Sequence, residues 1–150
     1  MKKSLRDALV GRLSGYDRAV EVGVGREPSV AAALAARGVD VVAVDVHDFP
    51  VPDGVSFVRD DVFARADAAD LGPYADADVV YALNVPVELH RPAAEVASRA
   101  DADFLFTTLG YDEPSIPVAR ESLPGDTLYA AERGRRDQRA RRDSPGRSQE

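Results

Sequence analysis

The residues best equipped for chemistry begin in Ala19-Val-Glu-Val-Gly-Val-Gly-Arg-Glu27. Gly23 and Gly25 lack a Cβ, so the main chain there can approach a ligand closely. Glu21, between two valines, offers a carboxylate that can accept hydrogen bonds from an ammonium group. Asp45 follows Gly25 by 20 residues, the spacing at which an acid on the next strand meets ribose hydroxyls. Asp60, Asp61 and Asn84 fall at two further apolar-to-polar boundaries that read as strand ends. The chemistry these groups share is recognition of a nucleoside. His47 and His90 could each act as a general base near neutrality, with packing against the sheet preferred for His90. Two distant histidines and no cysteine make no metal site. No serine has a nucleophile-elbow context, and no residue is assigned to catalysis.

Three occupants of the glycine turn compete. A dinucleotide fingerprint wants a third glycine three residues after the second, and that position is Pro28. Glu27 also places negative charge where a pyrophosphate would dock on a helix N-terminus, with Arg26 a partial offset. S-adenosylmethionine carries no phosphate; its ammonium and sulfonium suit an acidic crevice better. The remaining reading is a turn that binds nothing, with Asp45 merely solvated. The preferred order is S-adenosylmethionine, then the empty turn, then NAD or another dinucleotide.

Positioning these groups requires strands alternating with helices. Leu5, Ala8, Leu9 and Leu13 form one face of an N-terminal helix. Strands are expected at 19–24, 39–46, 55–58, 77–83 and 104–109. Helical faces are expected from Pro28 to Gly38 and over Leu89, Ala93, Val96, Ala97 and Ala100. The unbroken Val41-Val-Ala-Val44 suggests a strand buried on both faces of a parallel sheet. Asn84-Val-Pro86 is expected to break the fourth strand. Pro114, Pro117 and Pro124 leave little room for a crossover helix, beyond a turn or two in 117–123. The last strand, 127–131, is therefore expected to return antiparallel at the sheet edge. The pattern as a whole predicts a three-layer α/β domain over 1–133 with a mostly parallel sheet. Its ligand crevice would lie at the carboxyl ends of the strands.

Composition bounds the rest. At 150 residues and 45% apolar content the chain supports one domain with one core. No run approaches the ~20 apolar residues of a membrane span, and Met1-Lys-Lys-Ser-Leu-Arg-Asp is no secretory leader. With no cysteine, the expectation is a cytoplasmic protein with no membrane partner. There are 26 acidic residues, 18 of them Asp, against 17 Arg and two Lys. Such a surface fits a halophilic cytoplasm, where molar salt shrinks the screening length to about 3 Å and self-repulsion is tolerated. A high-GC codon bias is compatible with the same composition. Residues 134–150 hold six Arg and no large apolar side chain, and are expected to be a disordered tail. Apart from that basic tail there is no nucleic-acid signal.

Taken together, these motifs resemble a known family. Glu21-Val-Gly-Val-Gly-Arg26 looks like the first motif of class I S-adenosylmethionine-dependent methyltransferases. The body, residues 4 to 133, is similar to the archaeal uncharacterised protein family 0146. Its pattern runs through E-V-G-x-G-R, a second-strand acid, R-D-D and P-x-E-[IL]-H. Here these are Glu21 to Arg26, Asp45, Arg59-Asp60-Asp61 and Pro86-Val-Glu88-Leu-His90. The resemblance implies a Rossmann-like methyltransferase fold without an established activity or substrate. It places Glu21, Gly23 and Gly25 at the methionine portion of the cofactor, Asp45 at the ribose, and Asp60 or Asp61 near the adenine amino group. Two positions depart from the pattern. Asn84-Val85 and Thr107-Thr108 stand where the family often has Arg-Pro and Lys-Pro; if those basic residues bind an anionic substrate, this chain has lost that grip or a saline environment makes it unnecessary. Asn84-x-Pro86 is a weak echo of the Asn-Pro-Pro-aromatic motif of amino-group methyltransferases. After the fifth strand little chain remains to hold a small-molecule or macromolecular substrate. A partner protein or a homodimer could supply that wall, and a non-enzymatic interaction or sensor module is the alternative.

Overall fold

Apolar side chains on both sides of a strand can be buried only if both faces of its sheet are covered. The computed structural model describes residues 1–24 and 28–133, and it meets that demand with three layers. The strands are β1 (Arg18–Val22), β2 (Asp40–Asp45), β3 (Val55–Arg59), β4 (Val79–Val85), β5 (Asp103–Thr108), β6 (Val118–Leu123) and β7 (Asp126–Ala131). They form one sheet in the order β3-β2-β1-β4-β5-β7-β6. β1 to β5 pair in parallel, and β7 is antiparallel to both β5 and β6. This is the expected Rossmann-like α/β fold. Strand order reverses between β1 and β4, so a crevice opens at their carboxyl ends.

Alternation along each strand assigns the two faces. Val20, Val22, Val42, Val44, Val80 and Phe106 meet α3 (Val62–Asp67) and α4 (His90–Arg99). Ala19, Val41, Ala43, Val79, Tyr81 and Leu105 meet α1 (Lys3–Leu13) and α2 (Ser29–Ala36). Leu9, Leu13 and Leu34 are fully buried on that second face. Each contributes roughly 1.5–3 kcal/mol relative to exposure.

The short helix α3 needs help, because two turns are marginal by themselves. Asp61 caps it by accepting from the Phe63 N–H at 2.9 Å. At the other end Arg99 donates to the carbonyls of Arg65, Ala66, Ala68 and Ala69. Such donors satisfy carbonyls at and just beyond the helix C-terminus, where intrahelical partners run out. The guanidinium of Arg65 grips both oxygens of Asp60 at 3.2 and 2.8 Å and also reaches Asp70. α3 is thereby fixed to the end of β3.

Two expectations are corrected. β4 does not end at Asn84. It bulges there, with Asn84 at φ +54° and its N–H donating to Thr107 Oγ1, and pairing resumes at Val85 with Thr108. The segment 117–123 holds a strand, β6, and no helical turn. The antiparallel strand Asp126–Ala131 is present, but it lies one place inside the edge and pairs with β6 as a hairpin. The prolines do exclude a crossover helix. An irregular segment, 109–117, with a turn from Leu109 to Asp112, carries the chain from β5 to β6 and is pinned by Ser115. The Arg-rich stretch 134–150, expected to be disordered, lies outside the described residues. No described helix is long and apolar enough to cross a membrane.

Candidate functional site

The chain leaves β1 through Gly23 in the left-handed region, φ +75°. Its N–H and that of Val24 both point at the Val44 carbonyl, at 2.8 and 3.4 Å. The turn is therefore anchored to β2. A Cβ built on Gly23 meets no described atom within 4 Å, so among the described residues the main chain there faces open space. Gly25 lies outside the described residues.

That open space belongs to a cleft of about 350 Å³ across the ends of β1 to β4. Its apolar wall includes Val22, Val44, Val62 and Leu89. Val46 and Phe63, 47% and 48% exposed, stand on its rim. Among the described residues four carboxylates line it: Asp45, Asp60, Asp61 and Glu88. Among the described residues, no Lys or Arg lines it. Asp45, at the end of β2, accepts from the His47 N–H at 3.1 Å. Asp60 is held by Arg65, and Asp61 by its capping role.

Glu21 sits elsewhere than a cleft residue should. The pleat turns it to the α1–α2 face, opposite Val20 and Val22. It is 2% exposed and does not line the cleft. The Tyr81 hydroxyl, from the paired residue on β4, donates to Glu21 Oε1 at 2.8 Å. Burial pushes the Glu21 carboxyl up to about 8; the Asp45 charge adds to the rise and the Tyr81 hydrogen bond partly opposes it. A proton is thus stored just under the glycine turn at neutral pH.

The sequence-derived residues therefore divide. Gly23, Asp45, Asp60 and Asp61 converge on one cleft. Glu21 lies behind it. Asn84 projects at the rim, exposed, outside the lining set. His90 is fully buried against Phe106. Its Nδ1 accepts from the Ser115 N–H at 3.2 Å, so the ring proton is on Nε2, which faces the Val85 carbonyl at 3.3 Å. Both nitrogens are occupied by the backbone, and the ring braces the turn after β4. Sequence reasoning missed Glu88, Phe63 and Tyr81. Only Glu88 carried a signal, its place just after Pro86 at the end of a strand.

The sequence pattern of the uncharacterised protein family UPF0146 matches residues 6–133. The chain belongs to this family. A UPF0146 protein of Halobacterium salinarum is 43% identical over 120 residues, covering 79% of this chain and 90% of the relative. Among solved structures, an RNA methyltransferase of Salinibacter ruber in complex with S-adenosyl-L-homocysteine superimposes with a TM-score of 0.59. Identity is 18%, over 87% of this chain and 91% of that one. A TehB-like SAM-dependent methyltransferase of Corynebacterium glutamicum gives 0.55 at 15% identity, covering 86% of each chain. At such identities the likeness establishes the fold of this UPF0146 protein, which is that of S-adenosylmethionine-dependent methyltransferases, and no more.

Proposed function

We propose that this UPF0146 protein binds S-adenosylmethionine, or a closely related nucleoside, in the cleft at the ends of β1 to β4, and that it works as a methyltransferase-like domain. The observation that carries the reading is the cleft's chemistry. It joins the open main chain at Gly23, apolar walls, a carboxylate at the end of β2, and no lining cation among the described residues. A pyrophosphate would meet four carboxylates with nothing positive opposite them among the described residues, which disfavours a dinucleotide. An uncharged adenosine with a cationic side arm meets no such penalty. On this reading Asp45 would meet the ribose hydroxyls, and Asp60 and Asp61, at the β3 end, would lie near the base. Glu21 would act from behind the turn.

A second reading is favoured by the segment 109–117. Without a helix after β5, the domain offers little wall to grip a substrate. A domain that senses the nucleoside, or one completed by a partner or a second copy, fits that economy. Calorimetric titration with S-adenosylmethionine beside NAD, in molar potassium chloride, tests the proposal. Heat with the first and none with the second is the expected result. NAD binding alone, or no binding of either, would refute it. Transfer of a labelled methyl group to any lysate component separates enzyme from sensor.

A further inference from the structure

Of the four described carboxylates in the cleft, three are engaged by the fold. Arg65 holds Asp60, the Phe63 N–H holds Asp61, and the His47 N–H donates to Asp45. Glu88 differs. It lines the cleft, is exposed, and makes no hydrogen bond or ion pair with any described residue. Yet its backbone is among the better braced parts of the rim. Pro86 precedes it, and the 3-10 turn Val87–Leu89 carries it. Ser115 Oγ bonds the Val87 carbonyl at 3.4 Å, and buried His90 ties Val85 to Ser115. In the free protein this exposed carboxylate is solvated, so a cationic ligand group can pair with it without displacing any described protein partner.

Its location names what that is. Across the sheet the lining groups follow the order of the strands: Asp60 and Asp61 after β3, Asp45 on β2, Gly23 after β1, Glu88 after β4. Three inter-strand spacings, about 14 Å, separate the first from the last. A nucleoside with its base toward β3 and its ribose at Asp45 directs its 5′ substituent past Gly23 toward Glu88. Resting on the cofactor reading above, we infer that Glu88 is a specificity residue that recognises positive charge on the 5′ substituent, the sulfonium of S-adenosylmethionine. The site thereby prefers the methylated, cationic nucleoside over its neutral thioether, S-adenosylhomocysteine. A domain built this way loads the methyl donor selectively and releases the demethylated form.

The test is a thermodynamic cycle between ligand charge and residue charge. S-adenosylmethionine and S-adenosylhomocysteine are titrated calorimetrically into the full chain and into Glu88→Gln, each in decimolar and in molar potassium chloride. The native chain should favour the sulfonium by about fivefold, as a solvent-screened ion pair allows, and less in molar salt. Glu88→Gln should erase that preference by weakening S-adenosylmethionine alone. Its melting temperature should not move, since Glu88 has no partner to lose. Equal affinity for the two ligands in the native chain, or a preference that survives in Glu88→Gln, overturns the role of Glu88 and leaves the nucleoside site standing. Failure of the native chain to bind either ligand overturns both.

Discussion

Two acid-lined cavities occupy opposite ends of the same sheet. The one at the amino ends of the strands is the larger, about 560 Å³ against about 350 Å³. It collects Asp17, Asp76, Asp78, Asp101 and Asp103 beside Tyr16. Size and charge alone would make it the site. Three of its carboxylates, however, are working parts of the fold. Asp78 accepts from the Arg18 N–H at 2.9 Å. Asp103 accepts from the Tyr16 hydroxyl at 2.7 Å and from Arg133, which also grips Asp101 at 2.8 Å. The smaller cavity has apolar walls, a glycine turn open to it and a carboxylate, Glu88, that the fold leaves unused. A ligand site is marked by convergent polar groups on apolar walls, so the smaller cavity is the better candidate.

That contrast makes predictions, taken here from the largest effect down. Gly23→Val places a β-branched side chain at φ +75° in the open turn. It should remove calorimetric binding of S-adenosylmethionine and cost about 1–2 kcal/mol in denaturant melts. Retained affinity would show that the turn does not face the ligand.

Glu21→Gln tests the buried proton. The folded Glu21 carboxyl titrates near 8 against 4.5 as its ordinary value. The folded state therefore holds a proton that the unfolded chain has released. Stability must fall as pH rises from about 4.5 to about 8 and level off above that. Gln carries no such charge, so the variant should be the more stable by about 1–3 kcal/mol above pH ~8 and equal to the native chain near pH ~4. Parallel pH-stability curves for the two chains would contradict the protonated state.

At the amino-end cavity, Arg133→Ala leaves Asp101 and Asp103 without their guanidinium. Thermal unfolding should report a loss of about 1–2 kcal/mol, with nucleoside affinity unchanged. An affinity loss there would dissolve the distinction between the two cavities. Asp45→Asn should do the converse. Calorimetry should show S-adenosylmethionine weakened by about tenfold, as expected for losing a charge-assisted hydrogen bond. The melting temperature should hold.

Much of this was legible in the chain. The valine runs announced buried parallel strands, Gly23 announced a turn, and Asp45 lay at the spacing that brings it to the same rim. These are local properties: side-chain branching, a missing Cβ, and the length of a strand–helix–strand unit. The edge of the sheet was less legible. Val118-Ala-Arg-Glu-Ser-Leu123 has little apolar character, because an edge strand is paired on one side only and needs little burial. Its identity as a strand comes from β7, which supplies the hydrogen bonds.

Which carboxylates are spent on the fold and which are left for a ligand was decided by tertiary structure alone. Glu21 and Asp45 look alike in one dimension. The pleat turns Glu21 to the far face, where Tyr81, 60 residues away, meets it. Asp60 looked free until Arg65 closed on it, and Glu88, visible in its motif, had no assigned place until β4 carried it to the cleft. Residue type and spacing place a charged group at a strand end. Whether that charge finds a partner depends on segments distant in sequence, and only folding brings them together.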